Sequence, residues 1–314
     1  MTINEQDMRT RYVELLLKIG EENPNLVVLD SDLATSTGTK KFSEYFPERF
    51  FDCGIQEANM VGVAAGMSAM GMIPLVHTFA AFAGRRIVDQ VFLSCAYAKL
   101  NVRIIGVDPG ICAGKNGATH MSLEDMGIMR TIPGMIILDP SDDISMEKLI
   151  RQSVKEPGVY YIRINRKAKN RIYETDADIR IGKANTVVQG QDITLIAEGT
   201  ICVPQAIRAA EILQQRGISA RVLDMATIKP LDTAVVRTAA KETRAIITIE
   251  NHNIINALGS AVAEVLAESG TVPFARIGVP DMFGQVGTLE ELQNLFGITA
   301  ENIAQKAEEL LKRQ

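Results

Sequence analysis

The run Leu26-Val27-Val28-Leu29 stops abruptly at Asp30, and the chain repeats that pattern of a short apolar stretch closed by a polar residue. A run so short and so apolar, without polar alternation, marks a strand buried on both faces. Val102–Val107, Ile136–Leu138 and Tyr160–Ile164 likewise end before a polar residue and read as strands, and Ile73–Phe79 is another strand. Helical spacing fills the gaps. Met8, Tyr12, Leu15, Leu16 and Ile19 share one face of a helix from Asp7 to Gly20, with Gly20 as its stop. Asn59–Met70 and Arg85–Ala98 are two more helices, and Asp139-Pro140-Ser141-Asp142 is a capped helix start. Strands that alternate with helices predict a mainly parallel sheet covered by helices on both faces.

The pattern is interrupted between Asn165 and Gly190, where the chain turns charged and irregular. A second set then follows: strand Ile193–Ala197, helix Cys202–Arg216, strand Ala220–Leu223, helix Asp232–Lys241, strand Ala245–Glu250, helix Ser260–Ser269 and a last helix from Thr299. The expected fold is therefore α/β with two domains, each a mainly parallel sheet flanked by helices. Their bounds are 1–170 and 191–314, with 171–190 as the linker. The 314 residues suffice for both, and a net charge of −5 leaves no basic footprint for nucleic acid. Apolar runs break before membrane-spanning length, and MTINEQDMRTRY lacks a signal core. Cys53, Cys95, Cys112 and Cys202 are scattered without a CxxC pair, so reduced thiols and a cytoplasmic location are expected.

Three stretches carry candidate chemistry. In Phe51-Asp52-Cys53-Gly54-Ile55-Gln56-Glu57, one acid stands before a helix too apolar to face water. A carboxyl there is partly desolvated and calls for a proton-sharing partner, unless Glu57 is simply a surface or capping residue. In Thr78-Phe79-Ala80-Ala81-Phe82, two rings spaced by alanine form a shelf for a flat heteroaromatic ring, or ordinary core packing. Gly110 to His120 holds three glycines and reads as a ligand loop after a strand, presenting Asn116 and His120. It is neither a P-loop nor a dinucleotide fingerprint.

In that order, the Gly54-Ile55-Gln56-Glu57, Thr78–Phe82 and Gly117-Ala118-Thr119-His120 stretches resemble the pyrimidine-binding domain of transketolases. The resemblance continues through Arg130–Pro133, Asp139–Asp142 and Tyr161–Arg163. In the second half it includes Gly199-Thr200, Ile228–Asp232 and Glu250-Asn251-His252. It implies a thiamine-diphosphate-binding pyrimidine domain followed by a transketolase C-terminal-like domain. It also implies transfer of a two-carbon ketol unit from a ketose (phosphate) to an aldose (phosphate). In that family the glutamate at the Glu57 position bonds N1′ of the cofactor's aminopyrimidine and promotes its imino tautomer, which takes the proton from thiazolium C2. Phe79 and Phe82 match the residues stacked on the pyrimidine, and Asp32 and Leu33 match cofactor-lining positions.

The resemblance assigns Arg9, Ser36 and Arg166 to substrate phosphate, and His120 to substrate hydroxyls and proton transfer. Two positions depart from it. Asn116 stands in Lys115-Asn116-Gly117 where transketolases usually have Glu-Asp-Gly. Asp108 stands where many place a phosphate-contacting histidine, and an acid there repels phosphate unless it points away or pairs with a cation. No Gly-Asp-Gly followed by Asn is present for Mg²⁺ and diphosphate, so no metal ligand is assigned. The expected partner is an N-terminal, diphosphate-binding subunit that supplies most Mg²⁺ ligands within an α2β2 heterotetramer. Two other readings stand beside this one. The first is a subunit of another thiamine enzyme, resembling deoxyxylulose-phosphate synthase or a 2-oxoacid dehydrogenase beta chain. The second is a non-catalytic accessory subunit.

Overall fold

The computed structural model describes residues 1–270 and 272–312. Its strands in chain order are β1 Thr2–Ile3, β2 Leu26–Asp30, β3 Phe50–Asp52, β4 Ile73–Phe79, β5 Val102–Val107, β6 Met135–Leu138, β7 Val159–Ile164, β8 Asn170–Arg171, β9 Asn185–Val188, β10 Ile193–Ala197, β11 Ala220–Asp224, β12 Thr227–Lys229, β13 Ala245–Asn253 and β14 Phe274–Val279. One sheet has the order β12-β6-β7-β5-β4-β2-β3, and a second has β14-β13-β10-β11-β9. All pairings in them are parallel except at one edge of each, where β12 and β9 run antiparallel. The small strands β1 and β8 form a separate antiparallel pair.

Helices cover both sheets, so β2, β5, β7 and β10 are buried along their whole length. That explains their mainly apolar sequences, in which Asp30, Arg103, Arg163 and Thr194 are the buried polar exceptions. The expected α/β architecture with two parallel-dominated sheets is what forms. Within the stretch read as the junction, Asn185–Val188 forms β9 and joins the second sheet. β12, from the second half, crosses back to extend the first sheet beside β6.

The first helix runs Met8–Glu22, with Asp7 capping it through the Thr10 N–H at 2.9 Å. Gly20 does not stop it. A Cβ there would stand 2.8 Å from the Phe42 ring, so this glycine makes room for close packing within the helix. The expected helix Arg85–Ala98 is also corrected. It is three pieces, Ala80–Arg85, Val88–Gln90 and a π-helical turn Val91–Tyr97.

Asp224 ends β11 in full burial. Its Oδ2 accepts from Ser141 Oγ at 2.5 Å and Tyr173 Oη at 2.7 Å, while Oδ1 has no partner. Burial raises its carboxyl to about 7. A folded-state value above the unfolded one means stability that is full at low pH and is lost as pH rises through about 7. Urea midpoints at about pH 5 and about pH 8 check this: the native chain should lose ground to Asp224→Asn at the higher pH. A constant difference between the two would reject it.

Candidate functional site

The carboxyl ends of β7, β5, β4, β2 and β3 stand side by side in that order. Arg166 follows β7, Asp108 follows β5, Phe79 ends β4, Asp32 and Leu33 follow β2, and Glu57 lies beyond β3. The residues expected to bind cofactor and substrate thus form a row along one sheet edge, the position where open parallel sheets present ligand crevices. Loop hydrogen bonds fix the middle of the row. Asp30 Oδ1 accepts from the Leu33 N–H at 2.6 Å, and Asp52 Oδ1 accepts from the Asp32 N–H at 3.0 Å.

Glu57 opens the helix Glu57–Ala69 and is 3% exposed. A helix N-terminus favours a carboxylate there. Its Oε1 accepts from Arg86 Nη1 at 2.8 Å, and the Arg86 guanidinium lies 4.0 Å over the Phe82 ring centre. One flat cation therefore uses both the acid and an aromatic face. A flat aminopyrimidine needs that same pair of features, so the fit to such a ring is good.

The Phe79 and Phe82 rings are not a flat shelf. Their centres are 6.0 Å apart and edge-on, because Phe79 leaves a strand end and Phe82 a helix. His120 closes the corner, 5.3 Å from Phe82 and 6.2 Å from Phe79. The segment that carries it is less open than expected, since Gly110–Asn116 winds into a 3₁₀ turn. Arg85 then ties the segment down. It pairs with Glu124 and donates to the Thr119 carbonyl at 3.2 Å and the Met121 carbonyl at 2.5 Å. Asn116 is exposed at the end of the turn.

At the other end of the row, Arg166 lies 5.1 Å over the Phe79 ring. Its Nη1 donates to the Ser36 carbonyl at 3.1 Å, and its own carbonyl accepts from the Arg9 N–H at 3.2 Å. Arg9, Ser36 and Arg166 are therefore neighbours. Asp108 pairs directly with Arg166, with Oδ2 at 2.9 Å from Nε and 2.5 Å from Nη2. A continuous line of contacts runs Glu57–Arg86–Phe82–His120–Phe79–Arg166–Asp108.

Arg85 and Arg86 have no role assigned from sequence. The signal is present as a basic doublet directly after an alanine-rich apolar stretch. Among the described residues, no group of three or more His, Cys, Asp or Glu is arranged to hold a metal ion. No helix among them is long and apolar enough to cross a membrane.

Residues 4–170 match the transketolase pyrimidine-binding domain, and residues 182–303 match the transketolase C-terminal domain. The chain is 45% identical to the 6-deoxy-6-sulfo-D-fructose transketolase subunit SqwH of Clostridium sp. (strain MSTE9), covering 99% of this chain and 97% of that one. It is 38% identical to an apulose-4-phosphate transketolase subunit from Phocaeicola vulgatus, covering 97% of each. Among solved structures it resembles a split-gene transketolase described as an inactive beta4 tetramer. The TM-score is 0.91 and the identity 38%, over 98% of this chain and 99% of the other.

Proposed function

The chain belongs to the transketolase family, as a split-transketolase subunit, and from that premise we propose that it supplies the cofactor-activating half of a ketol-transferring enzyme. The observation that carries this reading is Glu57. It is a buried acid at a helix start, linked through Arg86 to the face of Phe82. Thiamine diphosphate, when bound, supplies the carbanion chemistry that ketol transfer needs. Glu57 would hold and share a proton at the ring nitrogen of its pyrimidine, after Arg86 yields the acid. Phe79 and Phe82 would bracket that ring, with Asp32 and Leu33 beside it. His120 would meet substrate hydroxyls and exchange protons with them, while Arg9, Ser36 and Arg166 grip the far end of a sugar. Asn116 would present an amide in place of the acid usual at that position. We assign the pyrimidine-binding domain to 1–170, the linker to 171–190 and the C-terminal domain to 191–314.

The partner we propose is an N-terminal subunit that holds the diphosphate and Mg²⁺ in an α2β2 assembly. The surface supports a docked state. Val63 on the helix Glu57–Ala69, Met70 just after it, and Phe92, Leu93 and Tyr97 on the neighbouring turn Val91–Tyr97 are exposed. Such grouped apolar exposure marks an interaction surface. Relatives named as subunits, and the tetramer called inactive, agree with an enzyme completed by a second chain.

The test is reconstitution with the cognate N-terminal chain, thiamine diphosphate and Mg²⁺. Ketol transfer between sugars is expected, without pyruvate-dependent chemistry. The purified chain alone, given the same cofactors, should show no turnover, and measurable transfer by it would refute the shared site.

A further inference from the structure

Arg166 is the cation nearest the far end of the row, and its charge is already engaged. Asp108 follows β5 in a left-handed backbone conformation, with φ 52°, and is only 5% exposed. Both of its oxygens face Arg166. Oδ1 accepts from the Arg166 backbone N–H at 3.1 Å, while Oδ2 accepts from Nε at 2.9 Å and Nη2 at 2.5 Å. With Nη1 on the Ser36 carbonyl and the Phe79 ring beneath, the guanidinium is fixed in one plane. Its outer N–H groups can still reach a ligand, but a buried carboxylate sits behind them.

The charges at this end can be counted. Arg9 and Arg166 bring two positive charges, and Asp108 removes one. Asp30 lies buried beneath the same loop, bonded to Thr37 Oγ1 at 2.9 Å and Thr39 Oγ1 at 2.8 Å, and it adds further negative potential. Lys115, Lys167 and Lys169 line a different cavity, at the junction of the two halves. Arg9, Arg166 and Asp108 together leave about one positive unit on this chain's side of the site. A sugar phosphate carries roughly −1.5 to −2 at neutral pH. A sulfonate carries one negative charge at every physiological pH. It presents similar tetrahedral oxygens to a planar guanidinium fork.

We propose that this subunit's site is built for a ketose donor whose far end carries a single negative charge, a sulfonate in preference to a phosphate, with Asp108 as the specificity-determining residue. The proposal rests on the transketolase reading above. Asp108 acts by lowering the positive potential around Arg166, which costs a dianion twice the Coulomb energy it costs a monoanion while the dianion's larger desolvation penalty still has to be met. An asparagine at this position keeps the shape and the acceptor oxygen but restores the second positive charge.

Three donors with one common aldose acceptor test it in the reconstituted complex. They are 6-deoxy-6-sulfo-D-fructose, D-fructose 6-phosphate and L-erythrulose, a ketose with no terminal anion. The expected result is kcat/KM about tenfold or more higher for the sulfonate than for the phosphate. That ratio should collapse or invert in Asp108→Asn. Equal or better use of the phosphate by the native complex overturns the proposal while leaving ketol transfer intact. A sulfonate preference that survives in Asp108→Asn overturns the role of Asp108. Silence with all three donors, erythrulose included, overturns the transketolase reading and the proposal with it.

Discussion

Glu57→Gln is expected to lower turnover of the reconstituted complex by roughly 10²–10⁴-fold, the range for losing a positioned acid–base group. Glutamine keeps the shape and can still hydrogen-bond, but its amide cannot take up and return a proton at the cofactor ring. Glu57→Ala should do the same, and both variants should assemble normally. Stability gives the reason to expect normal assembly. The Glu57–Arg86 pair has one buried partner, but Arg86 is 46% exposed and can be hydrated once the acid is gone. A half-exposed pair of this kind contributes on the order of 1 kcal/mol or less. Steady-state rates, with sedimentation or light scattering as the assembly check, separate the outcomes. Full turnover in either variant would remove the chemical role assigned to Glu57. Lost turnover together with lost assembly would make the residue structural.

The doubly covered strands were legible because burial on both faces leaves only one kind of sequence. β2, β4, β5 and β10 lie where their apolar runs place them. The elements that were not legible lie at edges or depend on distant partners. β12 is only Thr227–Lys229, and its place beside β6 is set by a contact between the two halves. β14 carries the exposed Arg276 inside an otherwise apolar run, and the helix Leu289–Phe296 spans eight residues. The site divides in the same way. Glu57 stood out because an acid before an apolar helix is costly without a function. The bond between Asp108 and Arg166 joins residues 58 positions apart, and no local pattern predicts it. From sequence, Asp108 only needs a cation somewhere. The fold names that cation, and it is one of the arginines assigned to the substrate.

Arg163→Met should destabilise the folded chain by about 3–5 kcal/mol, the usual cost of removing one side of a buried ion cluster. Arg163 is fully buried and bonds to both halves of the chain. Nε donates to Asp125 at 3.0 Å and Nη1 to Asp139 at 2.7 Å; Nη1 also approaches Glu198 at 3.4 Å, and Nη2 donates to the Asn251 carbonyl at 3.0 Å. Burial pushes the Glu198 carboxyl well up, and the charge and hydrogen bond of the neighbouring Asp139 add to the shift. Methionine approximates the volume but leaves Asp125 and Asp139 without a cation. A buried acid that has lost its cation is costliest in its charged form, so the deficit should grow as pH rises. Urea midpoints should therefore show a larger deficit at about pH 8 than at about pH 5. Function should suffer as well, because Asn251 extends the cluster to the His120 segment. Its Oδ1 accepts from the Ile111 N–H at 2.9 Å, and its Nδ2 donates to the Pro109 carbonyl at 3.1 Å. The approach is close enough that a Cβ on Gly110 would collide with Asn251 Oδ1. A deficit independent of pH would mean that lost packing dominates. A variant as stable as the native chain would show that the cluster does not hold the two halves together.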